Sequence, residues 1–560
     1  MKRASLSALL FGALLSAEAG AAATPDAIVA ALRDEIRRAE DSLVSADGAR
    51  PHYLAARYTV HRTRVFAAER GEPLPGSRQD FTDLVAEIRV GSPELDDGRF
   101  EGTPTEPFPF DSPLPRDGSP TLLRRALWLL FDDGFRQAAR TLAEKREWLK
   151  THPQLRPEGP DFAPPEPRTA VDTLPPFSPD AAEIKSKLAE ISSFALEFPE
   201  LVEAPVALQI VESRRYVVDN LGTVSISDDR EFRAVAAVLT QAEDGTPLWD
   251  WWKDASPVWS ELDLAPAKRI LSERARNLVA LRGAAPGEGY RGPVLFEGEA
   301  AAQLVWYALG EPLCAGEAEM QLGEYAPPRV LLTTLGRRLL PKGFSLDDVP
   351  SLSSFLGRTP PGRYRADHEG SPARDLALIR NGILEELPAG LAPLRGQARG
   401  NGHFRFGQAY PGTLLFSCSP ERETRDVGAA YLQAVRDEGN PSGIAVERFE
   451  DSDAASLLSS PLADGIRSKL SVSSLNVTQL PAPTAMVSVA ADGSRTPVRP
   501  LEFATMGISS FRDWTLCGRD YALHSPGLNS AVAAPPLAIG FATLQLPAPQ
   551  SRESMDWILK

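Results

Sequence analysis

The side chains of this 560-residue sequence best able to hold a metal or attack a carbonyl are six histidines and three cysteines. His52, His61, His152, His368, His403 and His524 never fall three or four residues apart, so no helix can turn a pair of them toward one zinc ion. Cys314, Cys418 and Cys517 form no Cys-x-x-Cys pair, and a disulfide framework is not expected. A single bridge remains open in an oxidising compartment, and the sequence ranks none of its three pairings. There is no Gly-x-Ser-x-Gly elbow and no Walker loop, and Gly283, Gly287 and Gly289 have the wrong spacing for a dinucleotide fingerprint. Three polar groupings are left. Asp347 and Asp348 are adjacent, so in an extended segment their carboxylates point opposite ways, which suits a strand end better than paired acid/base work. Asp367 and Glu369 share one face of an extended segment and could form a small network with Arg374. Asn401, His403 and Arg405 lie in RGNGHFR, where His403 has the right chemistry for an acid or base near neutral pH. Without a nucleophile or metal beside them, a turn role is preferred, and the three stand as groove candidates.

These residues must be positioned by the elements around GPVLFEGEAAAQLVWYALGE, residues 292–311. A short strand from Pro293 to Phe296 is expected to turn into an amphipathic helix from Glu299 to about Leu309. Trp306 and Tyr307 on that helix could line a groove, although aromatic residues on an amphipathic helix more often pack in a core or interface. Glu299 suits the positive end of the helix dipole, and Glu311 follows at the other end.

Upstream, apolar spacing predicts helices to about Leu43, over Leu122–Leu149 with a break near Gly134, over Asp180–Leu196 and over Pro266–Leu281. β-prone segments at Tyr53–Val60, Thr63–Ala68 and Leu84–Gly91 read as an antiparallel hairpin or meander. Further strands are expected at 206–213, 215–219, 222–227 and 232–241. Nine prolines between Pro153 and Pro179 predict an extended, exposed crossing segment. From Gly289 on, short β-rich segments are broken by Gly, Pro and Asn, and the only other helix expected is at Gly428–Arg436. The fold class is therefore α+β: a mixed N-terminal domain with an antiparallel sheet over residues 24–284, then a β-rich, barrel- or sandwich-like domain over 285–560, with helices covering an end or an open edge.

Composition limits the partners. A formal charge of −15 without massed Lys and Arg argues against a nucleic-acid backbone. Lys2 and Arg3 precede an apolar run from Leu6 to Leu15 and small residues ending at Ala19 or Ala23, the pattern of a secretory signal over residues 1–23. That run is too short to span a bilayer, so the mature chain is expected to be exported, periplasmic or secreted, without a membrane span. Asn476-Val477-Thr478 matches a glycosylation sequon, meaningful only in a eukaryotic secretory route.

Several segments together resemble the TldD/PmbA (TldD/TldE) family of metallopeptidases. GYRGPVLFEGEAAAQLV (289–305) is similar to its strand and active-site helix, LGRRLLPKGFSLDDVP (335–350) to its Gly-x-Arg-x-Leu-Pro segment, and GRYRADHEGSPARDLALIRNGILEEL (362–387) to its Asp-x-Glu-Gly and Asn-Gly run. RGNGHFR resembles its Thr-Gly-Asn turn, and residues 492–503 and 531–546 its last strands. LRDEIRRAEDSL, IRVG and ALWLLFDDGFRQAARTLAEK extend the likeness, more loosely, into the first half. The resemblance implies a two-subunit protease in which one subunit carries zinc on HExxxH and a late cysteine. Carried onto this sequence, the first His falls on Trp306, the Glu on Tyr307 and the second His near Gly310 or Glu311, while the cysteine should lie within Ser525–Ala534, where there is none. The resemblance is thus nearest to the metal-free TldE/PmbA-type subunit: a non-catalytic member of a heterodimer, itself without cofactor, with zinc expected only in an HExxxH-bearing partner. The alternatives are self-association, an active peptidase with unusual ligands such as Glu311, His403 or His524, or a stand-alone periplasmic peptide-binding or envelope-assembly module.

Overall fold

The computed structural model describes residues 25–547 apart from 47, 101–107, 110–118, 157–158, 315–321, 324–329, 395–398, 465, 467–479 and 507. The expected signal segment and the sequon lie outside the described residues.

The N-terminal part is built on long antiparallel strands: β1 (Pro51–Glu69), β2 (Glu72–Ser92), β3 (Pro205–Asp219), β4 (Val224–Gln241) and β5 (Pro247–Ser256), hydrogen-bonded in the order β2-β1-β3-β4-β5. Arg70 and Gly71, both at positive φ, make the two-residue turn that joins β1 to β2. Segments that sequence spacing separates are continuous here. The polar middles of β3 and β4 stay in the sheet because cross-strand ion pairs bridge them, Arg214 reaching Asp228 with two hydrogen bonds of 2.7 Å.

Strand alternation sorts the residues onto two faces. Leu54, Ala56, Tyr58, Leu84, Ala86 and Ile88 pack under α1 (Pro25–Ser42) and α2 (Pro120–Thr151). The opposite face carries Arg57, Thr59, His61, Asp83, Glu87 and Arg215 and turns toward the rest of the chain. α2 runs unbroken through Gly134, which is buried within it. α3 (Ala181–Ser192) begins on Asp180, whose carboxylate accepts the amides of Ala182 and Glu183, and it shares a second core with α4 (Ala267–Leu281) under the far half of β3 and β4. The proline-rich segment is extended but not wholly exposed. Phe162 is fully buried against Tyr53, and Thr169–Asp172 adds a parallel edge strand to β4.

The C-terminal part has two main sheets. One holds β6 (Tyr290–Phe296), paired in parallel with β10 (Ser442–Phe449) and antiparallel with β13 (Leu537–Gln545), and β11 (Pro483–Ala490) pairs with β10. The other holds β7 (Phe344–Asp348) between β8 (Leu376–Arg380) and β9 (Thr413–Cys418), with β12 (Ala531–Ala534) parallel to β9. Inner faces of both sheets share one core with α5 (Glu299–Val305), all of whose residues from Ala300 to Val305 are buried. That helix is a central element, not the cover over an edge that its sequence suggests. α6 (Thr424–Asp437) covers the outer face of the first sheet through Val427, Tyr431 and Val435. Short helices at Val330–Thr334 and Ser452–Ala455 were not expected. Cys418 is disulfide-bonded to Cys517, so the chain does hold one bridge, across 99 residues of sequence. No helix among the described residues is long and apolar enough to cross a membrane.

Candidate functional site

β6 delivers the chain to Gly298, whose positive φ of 55° starts α5 without a Cβ penalty. Gln303 locks the helix to the end of β10. Its amide oxygen accepts the Phe449 N–H at 2.9 Å, and its amide nitrogen faces the Phe449 and Glu450 carbonyls. The helix then widens into one π turn, Trp306–Gly310, in which the Glu311 N–H bonds the Trp306 carbonyl, before a last turn Glu311–Leu313. Pro312 gives the reason. It has no N–H to offer, and its ring would press on the carbonyl four residues back in a regular α-helix.

Trp306 is 8% exposed and lies 5.7 Å from the Tyr410 ring, centroid to centroid. Its indole occupies the space in front of Gly310: a Cβ there would sit 2.6 Å from Trp306 Cε3 and 2.9 Å from Leu414 Cδ1. Tyr307 donates to the Glu450 carbonyl at 3.3 Å. Burial, and then the charges of Asp451, Glu311 and Glu450, push its phenol well above the ordinary value, so it stays a neutral donor. Burial also pushes the Cys314 thiol up, with Glu311 and Asp348 adding to the effect, and the thiol donates to the Gly310 carbonyl at 3.4 Å. It is an unreactive thiol.

Opposite this helix, Asp348 and Asp347 diverge as strand geometry requires. Asp347 is partly exposed, 3.8 Å from Arg380, whereas Asp348 is fully buried and accepts the Gly412 and Thr413 amides at 2.9–3.1 Å. His403, also fully buried, has Nε2 3.1 Å from Asp348 but not aligned for a hydrogen bond, and Nδ1 3.0 Å from the Asn401 carbonyl. Asn401 clamps the turn by accepting from Ala389 N–H and donating to the Leu387 carbonyl. Arg405 lies 4.4 Å over the Tyr364 ring and donates to the Asn529 carbonyl at 2.8 Å. Asp367 spends its carboxylate on the amides of Glu369, Ser371 and Phe404, and Arg374 pairs with Glu386 at the surface, so the expected Asp367–Glu369–Arg374 network does not form.

The late loop, Ser525–Ser530, completes the site. A Cβ on Gly527 would lie 3.1 Å from the Tyr410 hydroxyl, the Asn529 N–H donates to Glu231, and Arg233 reaches the Ser525 hydroxyl at 3.5 Å. Tyr410 therefore stands between the α5 extension and this loop. Sequence reasoning missed Tyr410 and the Asp348–His403 juxtaposition, because nothing in their spacing links residues 306, 348, 403, 410 and 527.

A buried charged layer ties the site to the N-terminal sheet. Arg448 makes two hydrogen bonds of 2.7 and 2.8 Å to Asp250, Lys253 bonds Asp451 and Asp453, and Arg233 bonds Glu231 and Asp453. Trp251 donates to the Phe449 carbonyl at 2.7 Å. Glu299 is 3.6 Å from Arg274, and burial raises its carboxyl despite that neighbour. His524 is buried 3.9 Å from Asp451; burial, then Lys253, holds its imidazole well below the ordinary value.

The residues present do not fit a zinc ion. Trp306 and Tyr307 stand where HExxxH has its first His and its Glu, Glu311 alone of the helix positions carries a possible ligand, and the late loop offers serines and an asparagine. Glu311, His403 and His524 do not gather into an alternative set: His403 lies against Asp348 and His524 against Asp451, and among the described residues no three His, Cys, Asp or Glu side chains are placed to share an ion.

Comparison with known proteins supplies the context for this arrangement. Residues 289–395 match the family model for the PmbA/TldA metallopeptidase C-terminal domain. No curated protein matches the sequence. Among solved structures, TldE from Thermococcus kodakarensis is similar at a TM-score of 0.56 and 14% identity, covering 92% of this chain and 100% of that one. A protein described as a modulator of a DNA gyrase from Thermotoga maritima gives 0.57 and 13%, covering 91% and 100%. A second so described, from Bacteroides thetaiotaomicron, gives 0.58 and 11%, covering 92% and 98%. At these identities the structural likeness is one of fold, and it extends over nearly the whole chain.

Proposed function

The chain belongs to the TldD/PmbA family, and from that premise we propose that it is an exported, metal-free subunit of TldE type that shapes a peptide-processing chamber with a zinc-bearing relative. One observation carries the reading: Trp306 stands where HExxxH has its first His and packs against Tyr410 and Gly310, and Glu311, five residues on at the second His, has no two His, Cys, Asp or Glu side chains among the described residues placed to share an ion with it. A lost site would leave small or mismatched residues around a hollow. Here Trp306 packs against Tyr410 and Tyr410 against the late loop, which supports a scaffold kept for its shape.

Export is supported by the N-terminal pattern and by the Cys418–Cys517 bridge, since such bonds persist in oxidising compartments. The part of the polar sheet face open to a peptide is at His61 and Asp83, their side chains 24% and 51% exposed, whereas the turn carrying Asn401, His403 and Arg405 is itself buried. His403 and Asn401 act there by holding the turn, being fully buried or nearly so. The reading in which the chain itself cleaves peptides needs Glu311, His403 and His524 to converge, and the separate partners of His403 and His524 oppose it.

The test is affinity capture of the tagged chain from cells that encode it, followed by peptide-cleavage assays with and without chelator. Capture of an HExxxH-bearing relative, with chelator-sensitive cleavage only in the mixture, is expected. Cleavage by the isolated chain, or capture of no relative, overturns the proposal, and peptide binding by the lone chain would then favour a stand-alone binding module.

A further inference from the structure

Three arginines from three separate elements meet where the polar face of the sheet approaches the hairpin Phe404–Ala409. Arg57 and Arg215 share that face, Arg57 opposite Val217 and Arg215 opposite Thr59, which makes them diagonal neighbours across β1 and β3. Arg405 comes from the hairpin. All three are buried, at 7%, 7% and 2% exposure. They are close enough that the charges of Arg405 and Arg57 each disfavour the protonated form of Arg215.

The compensating charge is incomplete. Arg57 Nη2 has Glu87 at 3.6 Å, and Arg215 Nη1 has Asp229 at 3.2 Å. Among the described residues no carboxylate lies within ion-pair distance of Arg405, whose Nη2 bonds only the neutral Asn529 carbonyl. His368, beside them, accepts the Phe406 N–H on Nδ1; burial, then the three arginines, holds it neutral. Of the three guanidiniums only those of Arg57 and Arg215 have a carboxylate within ion-pair distance among the described residues, and Arg57 shares Glu87 with Arg89, whose Nε lies 3.0 Å from it. Two guanidinium nitrogens, Arg57 Nη1 and Arg405 Nη1, are buried without any hydrogen-bond partner. A buried charge with idle donors is costly, and a bound ligand that accepts from them is one way such a cost is met.

We propose that these arginines form a binding site for the carboxylate of a peptide-like ligand, which accepts from Arg57 Nη1 and Arg405 Nη1 and balances the excess positive charge. Guanidinium donors match a planar carboxylate, and the aromatic rings around them suit a ligand whose carboxylate is carried on an apolar body. Phe404 lies 5.3 Å from the Arg57 guanidinium, and Phe406 and Tyr410 lie 5.2 and 5.9 Å from that of Arg405. The nearest open side chains on the same face are His61 and Asp229, 24% and 27% exposed, and we place the entry there. A chain terminus lying on this face would be held by its last residue, which gives the sheet a polarity for extended peptides. The site stands on the isolated chain and does not depend on a partner subunit.

The experiment is isothermal titration calorimetry of the purified mature chain with trialanine, trialanine amide and acetate. Trialanine should bind, the amide should bind at least tenfold more weakly, and acetate should compete with trialanine at higher concentration. Arg57→Gln should weaken trialanine at least tenfold and Arg57→Lys less, in variants whose circular dichroism matches the wild type. Equal binding of acid and amide, no binding of the acid, or unchanged acid binding by Arg57→Gln overturns the proposal. The acid/amide comparison is made on the unsubstituted protein, so it decides the question even if a variant misfolds. Failure here leaves the subunit reading intact, because that reading is tested by capture and cleavage.

Discussion

Replacing Gly310 with alanine isolates the packing that separates this chain from a zinc-bearing helix. Gly310 has ordinary helical angles, φ −63° and ψ −51°, so the added methyl meets no backbone strain and on propensity alone would stabilise the helix by ~1 kcal/mol. The cost is steric: the new Cβ lies 2.6 Å from Trp306 Cε3, well inside van der Waals contact, and 2.9 Å from the end of Leu414. Leu414 can give way, but the indole is held between Tyr410 and the helix, so G310A should destabilise by about 1–3 kcal/mol. Trp306→Ala alone should cost about 3–5 kcal/mol through the cavity it leaves. In that background the obstruction is gone, and G310A should become neutral or stabilising. The assay is a double-mutant cycle in urea followed by circular dichroism. A coupling energy above ~1 kcal/mol, with the sign of the G310A effect reversed, is expected. Equal G310A effects in both backgrounds, or a neutral G310A in the wild type, would refute the claim that Trp306 fills the space in front of Gly310.

Three further outcomes follow from the same structure. Arg448→Ala leaves the buried Asp250 carboxylate without its main partner and should cost about 3–5 kcal/mol in urea unfolding, while Asp250→Asn combined with Arg448→Met should cost less than their sum. Burial alone would raise the Asp250 carboxyl, but Arg448 and Arg274 outweigh it and hold it below the ordinary range. Its contribution is therefore present above the unfolded carboxyl value near ~4 and lost as pH falls through the lower folded value; Asp250→Asn should flatten the acid limb of a stability–pH curve. Replacing Cys418 and Cys517 together by serine should cost about 2–5 kcal/mol, measured by unfolding with and without reductant, which should not affect the double variant.

Much of the scaffold is legible in the sequence because apolar periodicity acts locally. The 3.6-residue spacing of Ile28, Leu32, Ile36 and Ala39 and the alternation through LVAEIRVG mark α1 and β2, and Asp244-Gly245 marks a hairpin turn. What local reading splits, tertiary pairing joins: β3 and β4 run through charged stretches because Arg214 and Asp228 face each other across strands, a partnership invisible along the chain. The Cys418–Cys517 bridge is hidden for the same reason, since only the approach of the strand ends at 418 and 517 selects it from three pairings. The helix at Glu299–Val305 is legible as a helix but not as the centre of the core, because its outward-looking Gln303 turns out to bond the end of β10. For the site, sequence marks Trp306, Tyr307 and the Asn401–Arg405 turn, while Tyr410, the Asp348–His403 pair and the three-arginine cluster exist only once sheets and turn are brought together.

The central claim, a metal-free subunit that works beside a zinc-bearing relative, is tested most directly by native mass spectrometry of the complex captured on this chain from its own cells. One spectrum reports both partner mass and metal content. The account predicts this chain at its metal-free mass, bound to an HExxxH-bearing relative that carries the zinc. This chain alone with stoichiometric zinc would contradict it.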